Sequence, residues 1–169
     1  MNRIEKLMEY IDVILLNKNN DHDRRMAYIH LYGVSQSCTM LAKKRGLNVE
    51  LAVMAGLLHD LYTYKRKDEV RHLGKEAIEE VIKNHRAEGP NYIREVLTEL
   101  KITTDEETEI LANCHSKGYT GKNEIIYQIE KCVNDANVLQ GYFYNPTNPE
   151  IKPNERLDEL LSEFGLTFC

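Results

Sequence analysis

Apolar residues recur along most of this chain at a spacing of three or four, which is the spacing of one face of an α-helix. The clearest example runs from Leu51 through Met54, Leu58 and Leu61, with Asn48 placed to cap the start of the helix. The chain has no convincing run of alternating apolar and polar residues, which is the pattern of a half-buried strand. The sequence therefore predicts an all-α fold.

Turn and capping signals indicate where the other helices begin and end. Gly46 favours a helix end, Thr104 and Glu107 have the spacing of a capping box, and Gly89-Pro90 predicts a break. The first two predicted helices cover about residues 2–17 and about 23–45. After the apolar helix, the charged segment Lys65–Arg71 leads into a helix that runs through about Asn84. The remaining predicted helices are a short one ending at Leu100, one beginning at Thr104, one over about 123–141 and one over about 155–163. Irregular structure is predicted for Ser116–Gly121 and for Asn145–Pro153, which holds three of the four prolines.

Length and composition are those of an ordinary globular protein. The 169 residues, 42% of them hydrophobic, predict a single domain over residues 1–169. A net charge of −5 gives no long-range attraction to nucleic acid or anionic lipid, so we expect neither long nucleic acid nor a membrane as a partner. A second copy of the chain stays open as a partner.

Cysteine use and the N-terminal segment predict a cytoplasmic location. The four cysteines are widely separated and form no Cys-x-x-Cys pair, which is typical of reduced thiols. Between Met1 and Leu16 the longest apolar run is Val13–Leu16, which is too short for a secretory signal or a membrane span. We therefore expect a cytoplasmic protein.

Several polar side chains fall on apolar helix faces or at the ends of apolar helices. They are His30, the pair His59-Asp60, His115 and Asp135. A single histidine in such a place is more often a hydrogen-bonded core residue than a ligand, and a single aspartate is often bound to a neighbouring helix. Together, these imidazoles and two carboxylates need hydrogen-bond or charge partners inside the fold, and no obvious lysine or arginine stands on the same helix faces. One or two cations would satisfy them, so a metal site and a hydrogen-bonded core are both consistent with the pattern.

The order of these residues resembles the HD-domain superfamily of metal-dependent phosphohydrolases. The matching elements are His30, then Leu57-Leu58-His59-Asp60, then Asp135-Ala136-Asn137-Val138-Leu139. His85–Gly89 is similar to the additional histidine segment of the two-metal members, and Ile110–Gly118 to the segment with their fourth histidine. The resemblance implies a compact helical bundle with a metal-site core in residues 22–142, followed by a C-terminal loop and helix in residues 143–169.

The resemblance also implies one or two divalent transition-metal ions. The implied ligands are His30, His59 and Asp135 for one ion, His85 and His115 for the other, and Asp60 as the carboxylate that bridges them and orients a metal-bound hydroxide. His72 is the alternative to His85. Iron or manganese is the expected metal, with zinc, cobalt, nickel and magnesium as alternatives, because imidazole and carboxylate ligands do not choose among them.

The activity implied by the resemblance is hydrolysis of a small phosphate ester or anhydride, with a nucleotide as the expected substrate. A nucleotidase, a phosphodiesterase and a dinucleoside polyphosphate hydrolase all stay open. Lys65 and Lys117 are expected to contact the substrate phosphate. Two positions depart from the family pattern: Gly33 stands where many relatives carry arginine, and Asn137 where a second aspartate is common. Two other functions stay open, a di-iron oxygenase on the same fold and a non-catalytic domain that senses a nucleotide or binds a partner.

Overall fold

The computed structural model describes residues 2–18, 20–115, 123–144 and 155–167. Within these ranges the chain forms α-helices and one 3₁₀ turn without any strand, which confirms the predicted all-α fold. No helix in the same ranges is long and apolar enough to cross a membrane. The helices are α1 (Arg3–Leu16), α2 (Asp21–Arg45), α3 (Val49–Leu58), α4 (Leu61–Val70), α5 (Lys75–Leu100), α6 (Asp105–Asn113), α7 (Glu124–Tyr144) and α8 (Glu155–Glu163), with the 3₁₀ turn at Arg71–Leu73.

Local capping interactions fix several helix limits, as the sequence predicts. The Asn48 side chain accepts a hydrogen bond from the backbone N–H of Leu51 at the start of α3. Thr104 and Glu107 form the predicted capping box at the start of α6. Gly46 ends α2 with a φ of 67°, a left-handed conformation that costs glycine little. These limits therefore follow from the local sequence.

Helix α3 lies at the centre of the bundle. Seven of its ten residues are buried, and α2 and α7 both pack against it and against each other. The buried apolar side chains that join these helices include Leu31, Leu41, Met54, Leu57 and Leu139. Because α3 is enclosed in this way, the chain that leaves its C-terminal end carries His59 and Asp60 along the interior of the bundle.

Two glycines permit α2 to lie unusually close to its neighbours. A Cβ atom at Gly56 on α3 would lie 2.8 Å from the Cα of Ser35 and 3.0 Å from the Sγ of Cys38, both on α2. A Cβ atom at Gly33 on α2 would lie 2.8 Å from the Cγ of Gln140 on α7. Gly33, which departs from the family pattern, is therefore explained by the close contact between α2 and α7.

The predicted break at Gly89-Pro90 is wrong, because α5 continues through both residues. A proline inside a helix costs about 3 kcal/mol and leaves the carbonyl four residues earlier, that of Arg86, without its usual donor. Tertiary packing offsets this cost: Gly89 and Pro90 are buried, and a Cβ at Gly89 would lie 3.9 Å from the Cβ of Tyr62 on α4.

Three further features of the helices differ from the sequence pattern or lie outside the described residues. Most of the charged segment Lys65–Arg71 is itself helical, because it belongs to α4. Ile125 has the helical spacing of the buried Ile129 and Cys132 on α7, yet it is 46% exposed. The predicted irregular segments Ser116–Gly121 and Asn145–Pro153 lie outside the described residues.

Replacing Gly56 with alanine is expected to destabilise the protein by about 1–3 kcal/mol, because the new methyl group would overlap the α2 backbone at Ser35. The measurement is the free energy of unfolding from urea denaturation. Gly141→Ala is the matched control, since a Cβ at this helical glycine would meet no described atom within 4 Å and alanine favours helix. Equal stability of the two variants would contradict a close contact at Gly56.

Candidate metal centre

Three side chains from two helices converge where α3 ends. The Nε2 atoms of His30 on α2 and His59 lie 2.9 Å apart, and the Oδ2 atom of Asp60 lies 3.2 Å from the former and 3.6 Å from the latter. Potential ligand atoms of all three residues lie within 4.8 Å of one another, a separation at which they could hold one metal ion.

The turn between α3 and α4 allows adjacent residues to reach the same place. Side chains of neighbouring residues in a regular helix point about 100° apart. Asp60 leaves the helical conformation with φ of −119° and ψ of 9°, and α4 begins at Leu61. The Asp60 side chain makes no capping hydrogen bond to α4, so its oxygens face the histidines.

Backbone carbonyls fix the protonation of two imidazole rings. The Nδ1 atom of His59 donates a hydrogen bond to the carbonyl of Gly56 at 2.7 Å, and Nδ1 of His85 donates to the carbonyl of Ile82 at 2.6 Å. Because a carbonyl can only accept, the proton of each neutral ring lies on Nδ1 and its Nε2 carries a lone pair. This is the arrangement that orients histidine ligands in metal sites.

A cavity of about 140 Å³ adjoins these residues and brings in His85 and His115. The ring centroids of His59 and His115 are 6.4 Å apart, and His115 hydrogen-bonds to the backbone of Ala55. The buried Nε2 of His115 has no hydrogen-bond partner among the described residues. The structure thus brings His59, Asp60, His85 and His115 to one cavity, with His30 packed against His59 at a centroid distance of 4.8 Å.

Burial sets the charge of the site. It lowers the pKa of His59, and it lowers that of His115 to about 3, with the neighbouring His59 adding to the effect. Burial opposes ionisation of Asp60, but the hydrogen bond from His30 and the nearby imidazoles hold its pKa well below the usual value. These shifts favour neutral imidazoles at His59 and His115 beside an ionised carboxylate at Asp60.

These donors fit a divalent transition-metal ion. Two nitrogens bound to one ion at about 2.0–2.1 Å and at right angles lie about 2.9 Å apart, which matches the 2.9 Å between His30 Nε2 and His59 Nε2. The unpartnered Nε2 of His115 is a further free donor at the same cavity. The buried Cys114 thiol also lines the cavity, but burial raises its pKa and disfavours the thiolate, so the groups available to an ion are imidazoles and carboxylates.

The structure corrects the prediction that Asp135 is a metal ligand. Asp135 is 5% exposed, and its Oδ2 accepts a hydrogen bond from Nη1 of Arg45 at 2.7 Å. Its Oδ1 accepts from Nε of Arg156 at 3.0 Å and also from Nη2 of Arg156. The positive partners of this buried carboxylate are therefore arginines from α2 and α8, and Arg45 also binds Glu163 of α8.

A different face of α7 lines the cavity. Glu130, Asn134 and Asn137 are spaced by four and three residues, which places them on one side of the helix. Asp135 lies about 200° around the helix from Asn137. The sequence analysis did not identify Glu130 and Asn134, and it named Asn137 only as a departure from the family pattern, although the helical spacing of the three residues is the signal that marks a shared face.

The remaining predicted site residues fall in different places. The Nζ atom of Lys65 pairs with Glu69 at 3.3 Å, and Lys65 lines a separate cleft on α1 and α4, so its predicted contact with substrate phosphate is not supported. Lys117 lies outside the described residues. His72 is exposed in the 3₁₀ turn, whereas His85 lines the cavity. Arg86, which belongs to the His85–Gly89 segment but was given no role from the sequence, also lines the cavity.

Comparison with known proteins gives one match. A family model described as HD domain matches residues 27–157, a range that contains every residue of the cavity. No curated protein and no solved structure matches the chain significantly.

Replacing Asp135 with asparagine is expected to destabilise the protein by about 3 kcal/mol, because Arg45 and Arg156 would lose their shared carboxylate. Urea denaturation measures this loss. Asp158→Asn, at an exposed position on α8, is the control and should change stability little. A stable Asp135→Asn protein would contradict the structural role assigned to this residue.

Proposed function

This chain belongs to the HD domain family, and on that premise we propose that it is a metal-dependent phosphohydrolase. The family consists mostly of metal-dependent hydrolases. The observation that carries the proposal is the convergence of His30, His59 and Asp60 beside a cavity that His85 and His115 also line.

The proposed ligands divide into two groups. His30, His59, Asp60 and Asn137 would hold one ion, and His85 and His115 would hold a second. A bound divalent ion polarises phosphoryl oxygens and lowers the pKa of a coordinated water. Iron or manganese is the proposed metal, on the family resemblance. The carboxylate of Asp60 also accepts a hydrogen bond from the attacking water and so orients it.

The proposed substrate is a phosphate ester or anhydride, with a nucleotide as the more specific proposal. The cavity volume of about 140 Å³ supports binding of the phosphoryl group inside it. A pocket for a whole drug-sized ligand is larger, about 300–1,000 Å³. The nucleoside or other leaving group therefore lies outside the cavity.

The ligand that α7 contributes is Asn137. Asp135 is bound by two arginines on another face of the helix, whereas Asn137 lines the cavity together with His59 and Asp60. An amide oxygen is a neutral ligand, so Asp60 is the one carboxylate in the proposed set around the first ion. A site with fewer negative charges binds a divalent ion less tightly.

His59→Ala and Asp60→Ala are expected to lose bound metal and phosphatase turnover together, because each removes a ligand. The measurements are metal content by ICP after purification without chelator, and phosphate release from a panel of nucleotides and simple esters. His72→Ala is the control, since His72 is exposed and away from the cavity. Wild-type protein with less than about half an equivalent of transition metal, or full turnover by both variants, would overturn the proposal.

Asn137→Asp is expected to increase affinity for Mn²⁺ by about 10-fold, because it adds a carboxylate beside the ion. Competition with a fluorescent chelator measures this affinity. Asn91→Asp makes the same charge change on α5 next to Arg94 and should leave metal affinity unchanged. If Asp135→Asn, rather than a change at Asn137, alters the affinity, the assignment of the α7 ligand is wrong.

A further inference from the structure

The charged side chains that line the cavity are few. Asp60 and Glu130 contribute two carboxylates, and among the described lining residues Arg86 alone contributes a guanidinium or ammonium group. Arg86 follows His85 directly on α5, and both residues line the cavity together with His59, Asp60 and His115.

Arg86 differs from every other arginine in the described chain. The other arginines each bind at least one carboxylate of the protein: Arg3, Arg24, Arg25, Arg45, Arg66, Arg71, Arg94 and Arg156. Arg86 is exposed and makes no hydrogen bond or ion pair with the described residues. Its guanidinium is therefore available to an anion that enters the cavity.

The charges around the cavity indicate how the free guanidinium of Arg86 would contribute to binding an anion. One bound divalent cation would cancel the two carboxylates of Asp60 and Glu130. A second ion would add positive charge, and Arg86 would supply the cationic side chain that binds an anionic substrate beside the metal. A guanidinium group offers a planar pair of N–H donors that matches two oxygens of one phosphate, which a lysine ammonium group does not.

We propose that Arg86 binds the phosphoryl group of the substrate through two non-bridging oxygens, and that the enzyme thereby acts on phosphate monoesters or terminal phosphates. This inference rests on the proposed phosphohydrolase function. A terminal phosphate has three non-bridging oxygens, so two can bind Arg86 while the third faces the His30–His59–Asp60 site. A phosphodiester has only two non-bridging oxygens, so it cannot give two oxygens to Arg86 and a third to the His30–His59–Asp60 site.

The backbone that carries Arg86 is held in place. His85 is fixed by its hydrogen bond to the carbonyl of Ile82, and one turn later Gly89 and Pro90 are buried, with Gly89 beside Tyr62 of α4. The rings of Tyr62 and Tyr92 are also in contact, with centroids 6.1 Å apart. The guanidinium thus extends from a fixed segment of helix, as a substrate-positioning group requires.

The test uses Mn²⁺-loaded full-length protein and inorganic phosphate as the probe. Isothermal titration calorimetry should show that Arg86→Ala weakens phosphate binding by about 10- to 100-fold, the size expected for a lost hydrogen-bonded charge pair. Arg86→Lys should recover part of the affinity. Lys65→Ala, which lies on another cleft, is the control and should bind phosphate like the wild type. Metal content and melting temperature should stay unchanged in all three variants.

A second readout compares p-nitrophenyl phosphate with bis(p-nitrophenyl) phosphate. Wild type should prefer the monoester in kcat/KM, and Arg86→Ala should lose that preference, mainly through a higher KM. Wild-type phosphate affinity in Arg86→Ala, wild-type preference for the diester, or loss of metal from Arg86→Ala would each overturn the role of Arg86. Metal-loaded wild type that neither binds phosphate nor hydrolyses either ester would overturn the proposed function itself, and this inference with it.

Discussion

The candidate site depends on the close contact between α2 and α3 at Gly56. The absence of a side chain there lets the two backbones approach, with a hypothetical Cβ only 2.8 Å from the Cα of Ser35. The carbonyl of the same glycine accepts the hydrogen bond from Nδ1 of His59. One residue therefore sets both the distance between the helices and the orientation of the imidazole, and His30 on α2 meets His59 as a result.

Much of the fold could be predicted from local sequence, because caps and apolar spacing act over a few residues. The N-cap at Asn48 and the capping box at Thr104 are confirmed. The continuity of α5 through Pro90 was not predictable, because it depends on packing against α4. The division into one domain over residues 1–169 stays a prediction, as do the role of Lys117 and the cytoplasmic location.

The site was predicted less completely than the fold, and Asp135 shows why. Its position beside an apolar stripe correctly indicates that a positive partner is needed. The partners are Arg45 and Arg156, which are 90 and 21 residues away in the chain, so no local pattern identifies them. A metal ion and a distant arginine satisfy the same electrostatic requirement, and the structure distinguishes them because it shows which face of α7 each residue occupies.

Helix α7 both contacts α8 and lines the cavity. One face joins the bundle to α8 through Asp135, while the other presents Glu130, Asn134 and Asn137 to the cavity. Glu130 and Asn134 also line a separate cleft with Asp135 and Arg156, a cleft that Asn137 does not line. A search for altered ligand preference would therefore begin with Asn137, which faces the cavity, and would leave Asp135 unchanged, because its carboxylate joins α7 to α2 and α8.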